Sequence, residues 1–239
     1  MTLFKATTWT RAALFAVPLF AAQVAVTQLQ IDVGLSPLSS AFAAEKKEKS
    51  QEATRRTPAL RNSVYEKLSE AQVAAEAKDL ATAKQILDEM IATDGKKSLN
   101  SYELANVYNL YAFIQYSRED YAGALRSYEQ VVAQPDIPLA MEINTRFTIA
   151  QLYFVQEQWQ KGINALIKWF EMTDTPNANA YVLLAQGYYQ VKDYDKSLMN
   201  VQKAISMSEE AGKVPREQWY NLARYLYFEK NDTNNTVVV

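Results

Sequence analysis

Residues 179–204 constrain the fold more tightly than any other stretch of the chain. Apolar residues recur at helical spacing through Tyr181, Leu184, Ala185 and Tyr188. A polar break follows at Lys192-Asp193. A second helical pattern then runs through Tyr194, Ser197, Leu198, Val201, Ala204 and Ile205. Small residues stand where two helices must come close: Ala185 on the first, Ser197 and Ala204 on the second. Tyr181, Leu184, Tyr188 and Tyr194 are large enough to fill the space around them. A helix pair of this kind cannot bury its apolar faces alone and requires neighbours of the same kind.

The pattern recurs. Aligned on the small residue that opens each second helix, the chain divides into repeats at 64–97, 105–138, 143–176, 178–211 and a partial one at 217–239. The first is marked by Leu68, Ala71, Ala83, Leu87 and Met90, with a turn at Lys78-Asp79-Leu80. The second carries Tyr108, Tyr111, Ala112, Tyr121, Ala124, Tyr128 and Val131, with a turn at Glu119-Asp120. The third carries Ile149, Ala150, Tyr153, Trp159, Gly162, Leu166 and Trp169. The fifth has Trp219, Tyr220, Ala223 and Tyr227, with Arg224 where a small residue is expected and a turn at Asn231-Asp232. Ala83, Ala124, Gly162 and Ser197 step by 41, 38 and 35 positions. Pro135, Pro138, Pro176 and Pro215 fall between repeats, where a helix must stop. Thr236-Val237-Val238-Val239 matches the start of a second helix that does not continue. The expectation is a product truncated from a longer gene, or a face that another chain covers.

This arrangement resembles the tetratricopeptide repeat (TPR), with its large-small-aromatic first helix and small residues seven apart on the second. The resemblance implies an all-α, right-handed solenoid of antiparallel helix pairs, a TPR superhelix. The family period is about 34 residues, so the steps here imply longer helices or connections, mostly around residues 98–104.

Composition agrees. The 239 residues are 49% hydrophobic, with 6 glycines, 7 prolines and 15 tyrosines, which suits packed helical repeats better than a disordered chain. There is no cysteine and no histidine. Disulfides, thiolate chemistry, histidine acid–base catalysis, zinc sites of the usual kind and a lipid-modified cysteine are excluded. No cofactor or metal is expected. Asp232-Thr233-Asn234-Asn235 lacks the glycine and closing glutamate of a calcium loop. The formal charge of −2 argues against a nucleic-acid partner.

Residues 1–43 read as a secretory signal. Lys5 and Arg11 precede an apolar run from Ala12 to Val26, and Ala41-Phe42-Ala43 offers a small-x-small cleavage pattern before Ala44. An uncleaved anchor is the alternative, although the apolar run is shorter than the roughly 20 residues of a spanning helix. Cleavage leaves a periplasmic chain with no membrane segment. Residues 44–61, rich in Lys, Glu, Gln and Arg, read as a charged linker, and residues 62–239 as the solenoid.

Four segments carry a narrower resemblance: Leu60-Arg61-Asn62-Ser63, Leu99-Asn100-Ser101-Tyr102-Glu103-Leu104-Ala105, Ala150-Gln151-Leu152-Tyr153-Phe154 and Ala180-Tyr181-Val182-Leu183-Leu184. They resemble secreted TPR proteins of marine gammaproteobacteria found beside TonB–ExbB–ExbD energy-transduction components. The resemblance implies an accessory role there, with TonB-system proteins as partners, and brings no catalytic residues.

In TPR folds the first helices line a concave groove, through positions 2, 5, 9 and 12 of each repeat. Here those positions hold Asn106, Asn109 and Tyr116, then Asn144, Phe147, Gln151 and Phe154, then Asn179, Gln186 and Tyr189. No Lys or Arg occupies them, so a clamp for a terminal carboxylate is not expected. Asn and Gln each offer a donor and an acceptor, as a peptide bond does. The three asparagines at one register position read as a ladder for peptide main chain, with the aromatics supplying buried area. The competing reading is that the amides are solvated and the aromatics pack between first helices. Acid pairs such as Asp193-Asp195 and Glu209-Glu210 belong to turns and helix ends, so no enzyme is expected. The functional expectation is a scaffold for a protein or peptide partner. The alternative is a structural subunit that self-associates, including through its C-terminal end, or docks other helical repeats.

Overall fold

A computed structural model describes residues 58–92 and 98–230. The expected signal, most of the linker, the Asn231-Asp232 turn and the C-terminal residues lie outside them. Every element among the described residues is an α-helix: α1 Asn62–Glu76, α2 Leu80–Ile91, α3 Ser101–Ser117, α4 Tyr121–Ala133, α5 Leu139–Val155, α6 Trp159–Phe170, α7 Ala178–Gln190, α8 Tyr194–Glu210 and α9 Glu217–Glu229. Odd-numbered helices are the first helices of the repeats. Each helix packs on the next in chain order, so the core runs through the stack as a series of layers.

The small residues that set the alignment are the closest points of contact. Ala71, Ala112, Ala150 and Ala185 on the first helices are fully buried, as are Ala83, Ala124 and Ser197 on the second helices, and Gly162 is buried too. Removing side-chain bulk at these points lets the two backbones of a pair approach. Ser197 uses its hydroxyl to donate to the Ala185 carbonyl at 2.8 Å, joining α8 to α7. Large residues fill the flanks: Val64, Leu68, Leu87, Val107, Leu110 and Ile114 across α1, α2 and α3, and Val182, Leu198, Val201, Trp219 and Leu226 across α7, α8 and α9.

Four turns within the pairs share one construction. The first helix closes on a residue in the left-handed region: Lys78 (φ 63°), Glu119 (φ 61°), Glu157 (φ 56°) and Lys192 (φ 63°). The N–H of that residue bonds back three residues, and the next N–H bonds back five: Lys78 to Ala75 and Asp79 to Ala74, with equivalents at the other three turns. This is a Schellman closure, made here by residues that bear a Cβ. In three turns the next residue, Asp79, Asp120 or Asp193, caps the second helix by accepting from the N–H of Thr82, Gly123 or Lys196. In the fourth, Gln158 makes no side-chain cap. Gln158→Asp is therefore expected to stabilise the protein by about 0.5–1 kcal/mol, seen as a higher urea midpoint. An unchanged midpoint would show that the α6 terminus is satisfied in another way.

The prolines act at helix starts. Pro138 is the N-cap residue of α5, and Pro176 and Pro215 precede the N-caps Asn177 and Arg216. The folded unit also begins ahead of residue 62. Leu60 packs on the first core layer, and the Arg61 guanidinium pairs with Glu103 on α3 (Nη2–Oε2 2.6 Å, Nε–Oε1 2.8 Å). Arg61 also donates to the Ser98 carbonyl at 2.8 Å. Glu103, fully buried, closes a capping box with Asn100 (Asn100 N to Oε2 3.0 Å, Glu103 N to Asn100 Oδ1 2.9 Å). One carboxylate thus joins the start of the first repeat to the start of the second.

Candidate functional site

The ten residues expected to bind peptide divide into three groups. Asn144 on α5 and Asn179 on α7 are exposed at the same register position. Asn109 and Tyr116 on α3, Phe147 on α5, and Gln186 and Tyr189 on α7 are half-buried and retain accessible surface beside them. Asn106, Gln151 and Phe154 are buried, at 3%, 7% and 1% exposure.

The ladder therefore has two rungs. Asn106 donates from Nδ2 to the Tyr102 carbonyl at 2.7 Å, four residues back on its own helix. α3 supplies that acceptor because it starts at Ser101, capped by the Asn100–Glu103 box; α5 likewise starts a turn ahead of its repeat, at Leu139, yet its Asn144 stays exposed. Phe154 is a core residue. Its ring lies between two glycines: a Cβ on Gly162 would come within 2.9 Å of it, and one on Gly187 within 2.6 Å. The ring occupies space that both residues leave free, so it belongs to the contact among α5, α6 and α7.

The remaining aromatics also have partners. Tyr116–Tyr121, Phe154–Trp159 and Tyr189–Tyr194 form the same ring pair across three successive turns, with centroids 5.5, 6.2 and 6.0 Å apart. Phe147 lies on Trp169 (4.7 Å), Trp169 meets Phe170 edge-on (5.2 Å), and Phe170 lies on Tyr181 of the next repeat (4.8 Å). The Trp169 indole N–H is buried with no acceptor among the described residues. Tyr116, Phe147 and Tyr189 stay half-buried beside these contacts, and Tyr189 also meets Tyr225 of α9 edge-on at 5.6 Å.

Many of the tyrosines secure one repeat to the next. Tyr153 on α5 donates to Glu129 on α4 (3.1 Å) and Tyr220 on α9 to Glu209 on α8 (2.8 Å); Tyr111 on α3 pairs with Asp88 on α2. Burial and the Asp88 carboxylate push the Tyr111 hydroxyl pKa well above its usual range. Lys84, Lys161 and Lys196 stand over the rings of Tyr111, Tyr153 and Tyr188 at 5.9, 5.8 and 5.2 Å.

No family model matches the sequence, and no curated protein matches it. Solved structures do. The apo form of RapI superposes with a TM-score of 0.57 at 11% identity, over 74% of this chain and 67% of that one. MamA from Desulfovibrio magneticus RS-1, from residue 41 to its end, gives 0.56 at 14% identity, over 75% and 92%. MamA from AMB-1 gives 0.55 at 11% identity, over 73% and 86%. This is a TPR-type solenoid.

With the TPR-type fold in view, the fifth repeat needs a change of register. Ala223 is buried at 1% exposure and Arg224 is exposed, so Ala223 is the small residue of α9. Trp219, Leu222, Ala223 and Leu226 then take the places that Tyr181, Leu184, Ala185 and Tyr188 hold in the fourth repeat. The shift moves Arg224 to the ninth position of its TPR repeat, so the groove positions are not free of cations along the whole stack. The tryptophan three residues after Arg216 was the available signal, and it points to a repeat that starts at 216. Among the described residues, no cluster of His, Cys, Asp or Glu could hold a metal, and no helix is long and apolar enough to cross a membrane.

Proposed function

We propose that this TPR-type chain is a periplasmic scaffold that holds a protein segment along the face of α3, α5 and α7, as an accessory of TonB-dependent energy transduction. The observation that carries the binding reading is the pair Asn144 and Asn179, exposed at one register position on successive first helices. Asn109 and Gln186 add amides, and Tyr116, Phe147 and Tyr189 add ring surface. Amides satisfy main-chain N–H and C=O groups whatever the side chains, and the rings supply apolar contact. The signal-like segment 1–43 supports export, and the resemblance of Leu99–Ala105 and Ala180–Leu184 to secreted TPR proteins beside TonB supports the setting.

The test is a crosslinked pulldown from the host envelope with wild type and Asn144→Ala/Asn179→Ala as baits. Two lost hydrogen bonds, at about 0.5–1.5 kcal/mol each, weaken binding by about tenfold. Because both residues are exposed, the double variant is expected to melt as wild type does. A partner retained equally by both baits would move the function off this face.

A second reading, a structural subunit that self-associates or docks other helical repeats, draws on Met199, Val214 and Phe228. These large apolar side chains near the α8–α9 end are exposed at 60%, 91% and 65%. A mass that rises with protein concentration in sedimentation, with no envelope partner captured, would favour it.

A further inference from the structure

Charge is scarce on three successive first helices, α3, α5 and α7. Among all 13 residues of α7 there is no ionisable acid or base other than tyrosine. The 17 residues of α3 contain one charge, Glu103, which is buried against Arg61. The 17 residues of α5 contain two, Glu142 and Arg146, which pair with each other (Nη2–Oε1 2.7 Å, Nε–Oε1 2.9 Å). Each second helix carries charge: Lys84, Asp88 and Glu89 on α2, Arg126 and Glu129 on α4, Lys161 and Lys168 on α6, and Asp195, Lys196, Lys203, Glu209 and Glu210 on α8. The neutral zone is also bounded along the stack, by Glu66, Lys67, Glu70 and Glu76 on α1 and by Glu217, Arg224 and Glu229 on α9.

We infer that the face of α3, α5 and α7 selects an uncharged polypeptide segment of about six extended residues, and binds it with almost no dependence on salt. The inference rests on the peptide-scaffold reading and adds the chemistry of the ligand. A Lys or Glu laid on this face loses hydration and meets no counter-charge, since the three charges present are already paired. Neutral amide and hydroxyl groups meet Asn109, Asn144, Asn179 and Gln186 at little such cost. Length follows from geometry. Three helices at interaxial spacings of about 8–10 Å span about 20 Å, which an extended chain covers in about six residues.

The test uses the full chain and a panel of end-blocked hexapeptides composed of Ala, Ser, Asn, Gln, Leu, Tyr and Phe. A matched panel carries one Lys or Glu at each position in turn. Fluorescence anisotropy is read at low and high sodium chloride. Neutral peptides are expected to bind, a single Lys or Glu to weaken them by about fivefold or more, and salt to change affinity by less than about twofold. Asn144→Ala/Asn179→Ala weakens binding by about tenfold. Asn179→Lys makes binding salt-sensitive and shifts the preference to acidic peptides. Preference for charged peptides, or steep salt dependence, with binding still lost in the double alanine variant overturns the inference and leaves the scaffold reading standing. Binding that the double variant does not weaken overturns the scaffold reading itself. No binding by any hexapeptide also overturns the inference.

Discussion

Phe154→Ala is expected to destabilise the protein by about 3–5 kcal/mol, more than the loss of any side chain on the exposed face. The ring is 1% exposed and touches α6 and α7 through Gly162 and Gly187, so its loss opens a cavity that three helices share. Gly187 supplies the complementary result. Alanine there normally gains about 1 kcal/mol of helix propensity, yet its Cβ would stand 2.6 Å from Phe154 Cε1 and 2.9 Å from Ile163 Cγ1. Gly187→Ala is therefore expected to destabilise the wild type. In the Phe154→Ala background, where the methyl enters vacated space, it should be neutral or stabilising. The coupling is the deciding quantity, measured by urea denaturation of the four proteins in the cycle. Additive effects would mean that the ring does not depend on the glycine.

The second large effect belongs to Glu103. Removing it takes away the capping box of α3 and the anchor of Arg61 together. Glu103→Ala is expected to cost about 2 kcal/mol, less than the loss of a wholly enclosed ion pair because the Arg61 side chain is 41% exposed and can turn to water. Burial pushes the Glu103 carboxyl pKa up. Hydrogen bonds from the Arg61 guanidinium and from the Asn100 and Arg61 N–H groups outweigh it, so the carboxyl sits below its ordinary value of 4.5. A depressed folded-state value fixes the sign. The contribution is complete above the unfolded pKa and disappears as pH falls through the folded one. Wild type should thus lose its margin over Glu103→Ala progressively as pH falls below the ordinary carboxyl value of 4.5. Urea midpoints from neutral pH into the acid range check this, and a margin that does not change with pH would show that the ionised carboxylate is not what stabilises the joint.

The packing of the pairs was legible in the sequence because it is local. Ala71 with Ala83 and Ala185 with Ser197 are each separated by one turn, and a small residue amid large ones at helical spacing marks the point where two helices approach. The site was legible in part. Asn144 and Asn179 are exposed as expected, but Asn106 occupies the same register position and is buried. Its fate depends on what packs over it and not on the extra turn of α3, which α5 also has ahead of Asn144. Phe154 depends on glycines in two other helices. Neither dependence is written at the position itself. The fifth repeat shows a different limit: Ala223 and Arg224 are adjacent, and only burial decides which one faces α8.

The four turns inside the pairs have one length and one backbone closure, and three of them add a residue that caps the next helix, whereas the connections between pairs vary in length, and only the one after α8 shares the closure, at Gly212. Each pair is thus a cassette whose internal joint is fixed and whose external joint is adjustable. Extra residues are expected to be tolerated at 171–176 and not at 78–79 or 192–193, nor at 136–137, where Asp136 has φ 59° and Ile137 is buried against Ala105 and Val131. A gene that grows by copying such cassettes can lengthen its product without redesigning any hinge inside them.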